Sequence, residues 1–172
     1  MKRITILLCA VFLGIACSKN EETELELLQN SSYVISINGQ TYENKKVAEA
    51  SATFAEGTDI TTGKKFYAVV TSLKDSNLQI NGGPVVVEGI TMPMEENSIG
   101  GESSGLVITL NNQLYVSISG TITIKKDNRY DEISVGNGAK TGKTEIQIEF
   151  SGSFRNQNAE EVPVSGSFYI TK

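Results

Sequence analysis

Ile118-Ser119-Gly120-Thr121-Ile122, Phe150-Ser151-Gly152-Ser153-Phe154 and Val164-Ser165-Gly166-Ser167-Phe168 are three versions of one phrase, apolar-Ser-Gly-Ser/Thr-apolar, in the last third of a 172-residue chain. Each phrase extends outward with period two. Val116 to Ile124, Ile146 to Phe154 and Val162 to Ile170 alternate apolar residues with Ser, Thr, Glu and Gln, the pattern of half-buried antiparallel strands. All three glycines fall on the apolar side, where each costs roughly 0.5–1 kcal/mol against alanine and therefore needs a reason. One reason is packing. If Ile122 pairs with Ile148 and Ile148 with Phe168, then Phe150 covers both Gly120 and Gly166, and Gly152 lies between Ile118 and Val164. The other is space, with the glycines hollowing an apolar cavity for a ligand or letting the sheet coil into a barrel.

The same reading continues toward the N-terminus. From Ser32, short alternating runs are broken by Gly, Asn and Asp. Tyr33 to Ile37 and Gln40 to Tyr42 flank Asn38-Gly39, a two-residue hairpin signal that sets Ile35 opposite Tyr42. Ala48, Ala50, Ala52 and Phe54 form the inward side of a strand, and Gly57 to Gly63 a turn. Lys65 to Leu73 is apolar on both faces and reads as a central strand. Asn81-Gly82-Gly83, between Leu78-Gln79-Ile80 and Pro84-Val85-Val86-Val87, reads as a second hairpin turn. Met92-Pro93-Met94 and Ser98 to Gly105 read as loop, the methionines as filler or as an adaptable contact surface. Around Asn111-Asn112-Gln113, burial favours a three-residue turn pairing Leu110 with Leu114, Ile108 with Val116 and Leu106 with Ile118. A two-residue turn would instead set Val107 opposite Val116.

Composition narrows the chemistry. The chain has no His and no Trp, which removes Ser-His-Asp and Cys-His catalysis and His-based zinc sites. Its formal charge is −5, and without Lys2 and Arg3 it is 13 basic against 20 acidic residues, or −7, which argues against a nucleic acid partner. The two cysteines, Cys9 and Cys17, both precede the β pattern, so the domain has no internal disulfide.

Met1-Lys2-Arg3 followed by apolar Ile4 to Ala16 is an export signal too short to span a bilayer as a helix. It ends in Leu13-Gly14-Ile15-Ala16-Cys17, which resembles the lipobox of bacterial lipoproteins, with Gly14 where the usual pattern has Leu. The resemblance implies a diacylglyceryl group on the Cys17 thiol and cleavage before it. Ordinary cleavage after Ala16, permitted by Gly14 and Ala16, is the alternative. Several acyl chains at about 0.8 kcal/mol per buried CH₂ would anchor the protein durably. The acidic stretch Ser18 to Glu26 reads as a solvated tether. It is similar to the segment that routes lipoproteins of Bacteroidota to the outer leaflet. The whole pattern, best over Cys17 and about Gly105 to Lys172, resembles small Bacteroidota-type lipoproteins with an all-β C-terminal domain, a family that carries over no activity.

Several constellations hold residue types that can carry chemistry. Gly138 to Thr144 mimics a phosphate loop, but its required first glycine is Asn137 and a strand follows where a helix is needed. Lys125, Lys126, Arg129, Lys140 and Lys143 form a basic cluster, read as a solvated loop or a site for an acidic glycan or partner. Asp127, Asp131 and Glu132 offer oxygen ligands without calcium-loop spacing. Glu145 and Glu149 share an open strand face without the cleft a glycosidase needs. Tyr115, Gln147 and Tyr169 fall on the outward, hydroxyl-rich side, where tyrosines could stack on sugar rings.

The sequence thus predicts one all-β domain, an antiparallel sandwich or flattened barrel over 32–172, after a signal peptide at 1–16 and a lipidated acidic linker at 17–31. It predicts a non-catalytic outer-membrane lipoprotein, anchored through its N-terminal lipid and meeting a protein or glycan partner, with no cofactor. The alternative is a carrier with a small hydrophobic ligand inside the β domain, and behind it a carboxylate-dependent hydrolase.

Overall fold

The computed structural model describes residues 30–96 and 103–172. The signal segment, Cys17 and the acidic tether lie outside the described residues, as does most of the Gly/Ser run from Ser98. Among the described residues there is no helix. The strands are β1 (Ser32–Ile37), β2 (Gln40–Asn44), β3 (Glu49–Thr58), β4 (Lys65–Lys74), β5 (Leu78–Gly83), β6 (Val85–Val87), β7 (Ile90–Thr91), β8 (Met94–Glu95), β9 (Gly105–Leu110), β10 (Gln113–Gly136), β11 (Ala139–Asn156) and β12 (Glu161–Ile170).

All the strand pairs are antiparallel, and the ladder closes. β3 pairs with β4, β4 with β5, β5 with β9, β9 with β10 and β10 with β11, while Lys140 to Lys143 of β11 return to β3. Further along β11, Ile146 to Arg155 pair instead with β12, which continues into β1 and β2. The molecule is a flattened barrel with one wall prolonged by three strands, which pack over the barrel like the second leaf of a sandwich. One core results. Ile35 and Ile37 of the prolonged wall belong to the same buried cluster as Leu73, Ile80 and Ile108 of the barrel. Asp75, in the turn after β4, accepts from Tyr33 Oη at 2.7 Å and Asn44 Nδ2 at 2.9 Å, which ties the two parts together.

Turn chemistry sets much of the register. Asn38-Gly39, Glu88-Gly89, Asn111-Asn112 and Asn137-Gly138 all have two successive positive φ angles, the conformation that closes a hairpin with two residues. Ile35 accordingly pairs with Tyr42. At Asn111-Asn112 the same geometry overturns the three-residue turn, because Val107 pairs with Val116 and Ile108 with Tyr115. Tyr115 and Ser117 therefore point inward. A bulge between Ser117 and Ser119 then restores the expected side for Gly120 and Ile122. Ser117 Oγ, wholly buried, accepts from Leu106 N at 3.0 Å.

The glycine phrases pair as expected on one side only. Ile148 lies opposite Phe168, Phe150 opposite Gly166 and Gly152 opposite Val164. Across β10, however, Phe150 faces Ile122, and Gly120 faces Gly152. The space over that glycine pair is filled by Met94, which is 1% exposed and belongs to β8, not to a loop. Its Cε lies 2.9 Å from where a Cβ would stand on either glycine. The glycines are a packing device, with Met94 in place of Phe150 over Gly120 and Gly152.

Asn81-Gly82-Gly83 is not a hairpin turn. β5 and β6 both pair with β4, so the chain runs on through Gly82, Gly83 and Pro84 as one bent strand. The bend needs glycine twice. A Cβ on Gly82 would meet Gly105 O at 2.2 Å, and one on Gly83 would meet Val69 O at 2.3 Å.

Candidate functional site

The bend borders a concavity. β4 is central, as expected, and Tyr67, Val69, Thr71 and Leu73 point to the core side. Its other face, Phe66, Ala68 and Val70, is apolar without being covered by another layer. Phe66 stands beside Val87 and Ala68 beside Val85, while Asn81, Val107 and Val116 form the next rows. Because β5 turns away at Gly82 and Gly83, these rows surround a groove of about 770 Å³ on the outside of the barrel.

The groove floor is aliphatic and its rim is polar. Asp59, Thr62 and Lys64 of the turn after β3 stand at one end, and Glu95 and Ser103 line it elsewhere. The turn is self-supporting, since Asp59 Oδ1 accepts from Thr61 N at 2.9 Å and Thr62 N at 2.6 Å. The Thr62 amide and hydroxyl hold the Asp59 carboxyl below its usual range. Lys64 makes no ion pair among the described residues. A pocket this large with an apolar floor and few polar groups has the dimensions and chemistry of small-molecule sites.

The residues expected to meet a sugar are not brought together. Gln147 and Tyr169 are cross-strand neighbours. Tyr115 lies opposite Asn156, at the far end of β11, and is turned into the core with 7% exposure, contrary to its expected outward side. Tyr169 is also only 6% exposed. Lys126 Nζ sits 5.0 Å from its ring centre and donates to its hydroxyl at 3.0 Å, and that hydroxyl donates to Glu145. Neither ring offers a free face for stacking. A shallower depression of about 380 Å³, floored by Thr121, Thr123, Ser151 and Ser167, lies on this wet face outside Gly166.

The basic cluster is a pair of strands rather than a loop, and its charges are matched. Lys125 pairs with Glu149 at 2.9 Å, Lys126 with Glu145 at 3.1 Å, Lys140 with Glu132 at 3.3 Å and Lys143 with Asp131 at 3.5 Å. Arg129 bonds Glu56 at 2.6 Å and Asp127 at 3.1 Å, and stacks 4.1 Å from the Tyr67 ring centre. Asp127 also accepts from Tyr67 Oη at 2.9 Å and Thr144 Oγ1 at 2.6 Å. Among the described residues no group of three or more acidic or cysteine side chains could hold a metal ion. Partial burial opposes ionisation of Glu145, but hydrogen bonds from Asn128 and Lys126 outweigh it and lower its pKa, the reverse of what a general acid requires.

The groove was missed because its residues come from five separated stretches. Two signals pointed to it: the two-faced apolarity of Lys65 to Leu73, and Gly82-Gly83-Pro84 inside an apolar run. No protein-family description, curated protein or solved structure matches the chain.

Proposed function

We propose that this protein is a non-catalytic, lipid-anchored binding protein of the outer membrane, held through Cys17, whose outer groove carries a small apolar ligand with a single aliphatic chain. The observation behind the ligand is the groove itself: about 770 Å³ floored by Phe66, Ala68, Val70, Val85, Val87, Val107 and Val116. Leaving such a surface in water is unfavourable by roughly 25 cal/mol for each Å² of apolar area that an occupant would cover. Lys64 at the rim suits a ligand with an anionic head. The anchor is supported by the segment Leu13 to Cys17, and exposure on the outer leaflet by the acidic residues that follow.

The ligand reading is tested with dansyl-undecanoic acid and the purified lipoprotein in detergent at a fixed concentration below micelle formation. Dansyl fluorescence rises with saturable binding, and Val107→Lys weakens binding about tenfold or more by placing a charge in the apolar floor. Thr123→Lys, on the wet face, leaves binding unchanged. Equal binding by all three proteins sinks the groove. The anchor is tested separately by palmitate labelling of cells, where a Cys17→Ala chain that still takes up label defeats it.

A further inference from the structure

Seven large apolar side chains are exposed among the described residues: Val34, Ile60, Val70, Ile90, Leu114, Ile133 and Val135. Val70 and Leu114 belong to the groove. Four of the rest share one end of the barrel, and the strand register shows it. Thr58 pairs with Lys65, so the turn holding Ile60 closes that end of β3 and β4. Phe66 pairs with Val87, and Glu88 N donates to Lys65 O at 2.9 Å, which brings the turn before Ile90 alongside. Lys140 pairs with Glu56, and the Ala139 Cβ lies 3.2 Å from where a Cβ would stand on Gly57. The β10–β11 hairpin tip, with Ile133 and Val135, therefore ends there too.

Three hairpin tips thus present Ile60, Ile90, Ile133 and Val135, exposed by 95%, 69%, 62% and 61%, at a single end. Scattered apolar residues are ordinary, but a set at one end is not. Of the seven, the opposite end, at the turns after β1, β4, β9 and β11, carries only Leu114, which lines the groove. Lys64 and Lys65, which make no ion pair among the described residues, stand beside these tips.

We infer that this end seats on the lipid surface, with the four aliphatic side chains in the headgroup layer and Lys64 and Lys65 facing anionic headgroups. The inference rests on the reading of Cys17 as the lipidated residue. The tether favours it geometrically. Ser31 Oγ accepts from Thr171 N, and Lys172 Nζ lies over the Tyr130 ring, which places the entry of the N-terminal segment near residues 143–146 of β11. At about 3.3 Å per strand residue, that point is roughly 20–30 Å from the tip at Asn137 and roughly 35–45 Å from the turn at Gln157. The 13 residue-to-residue steps from Cys17 to Asn30 reach about 45 Å at most. A lipid at Cys17 therefore lets the aliphatic end meet the bilayer with slack, whereas the opposite end would need the tether nearly taut. The groove reaches this end through Lys64, Phe66 and Val87, so a ligand could pass between bilayer and groove without crossing water.

The chain has no tryptophan, so one introduced residue is a site-specific reporter. The lipidated full chain is reconstituted in phosphatidylcholine–phosphatidylglycerol vesicles with brominated acyl chains, as Ile60→Trp, Ile90→Trp, Val135→Trp and, at the far end, Gln157→Trp. Expected is a blue-shifted emission quenched about twofold or more at the three tips, and no quenching at Gln157→Trp. Vesicle-bound protein with equal quenching, or none, at all four positions overturns the orientation while leaving the anchor standing. Protein that does not sediment with vesicles overturns the anchor and the orientation with it. A blue shift that grows with protein concentration in the absence of lipid overturns it in favour of contact with a second copy.

Discussion

The two outer faces of this barrel are built by the same alternation and have opposite chemistry. Outside β10, β11 and β12 stand Thr121, Thr123, Glu149, Ser151 and Ser167, and outside β4, β6 and β9 stand Phe66, Ala68, Val70, Val85, Val87 and Val107. The first face is content with water. The second is as apolar as the core side of its own strands. On the wet face, burial alone distinguishes inside from outside, and the strands there are held by close packing over glycines. On the groove face, burial cannot choose a side, and turn chemistry must.

The largest expected effect breaks the close-packed wall. In Gly152→Ala, the new methyl would stand 2.1 Å from Ser119 O and 2.9 Å from Met94 Cε. Backbone cannot yield as a side-chain end can, so the expected loss is about 2–4 kcal/mol, the range of severe overpacking. Urea denaturation measures it. A change below about 0.5 kcal/mol would mean that the Gly120–Gly152 approach is looser than described. By contrast, Val107→Ala on the groove face is expected to shift stability by less than about 1 kcal/mol, since an open site has no tight cavity to lose.

That contrast explains what could be read from the sequence. Ile35 opposite Tyr42 was legible because Asn38-Gly39 admits one loop length. Phe150 opposite Gly166 was legible because β11 and β12 show one apolar face each over that span. The β9–β10 register was not, for two physical reasons. Leu114 and Val116 are as apolar as Tyr115, and the bulge after Ser117 changes which residues face inward within one strand. A bulge is a local backbone event with no fixed sequence mark. The mismatch of Ile122 with Ile148 was a two-residue shift, which keeps every side chain on its face and so escapes an argument from alternation. The groove depends on where β5 bends, and glycine and proline signal a bend and a turn alike.

A smaller effect tests the joint between the two walls. Tyr67, on β4, hydrogen-bonds Asp127 of β10, and its pKa is raised first by burial and then by that bond and the Asp127 charge. A phenol whose folded-state pKa exceeds the unfolded value of about 10 contributes stability in full below pH 10, and loses it as pH rises from there toward the folded-state value. Melting curves between pH 8 and 11.5 are expected to fall steeply above pH 10. Tyr67→Phe should cost about 1 kcal/mol at pH 8 and flatten that alkaline slope. Some slope remains, because Tyr33 is shifted upward in the same way by burial and Asp75. An unchanged slope in Tyr67→Phe would show that the phenol does not join the walls.

The smallest effect belongs to the wet face. Lys125 and Glu149 approach within 2.9 Å, but both side chains are about half exposed. Water screens their attraction, and holding two long side chains in one arrangement costs rotamer entropy, so such pairs contribute about 0–1 kcal/mol. Lys125→Ala is therefore expected to change stability by less than about 0.5 kcal/mol, with even that difference vanishing in 1 M salt. Arg129→Ala, further along β10, removes ion pairs with Glu56 of β3 and Asp127 and the stacking on Tyr67 and Phe54, and should cost more in both low and high salt. If the two variants lose equal stability, the wet face is doing more structural work than its exposure allows, and the distinction between a wall held by packing and a wall left open for a ligand weakens accordingly.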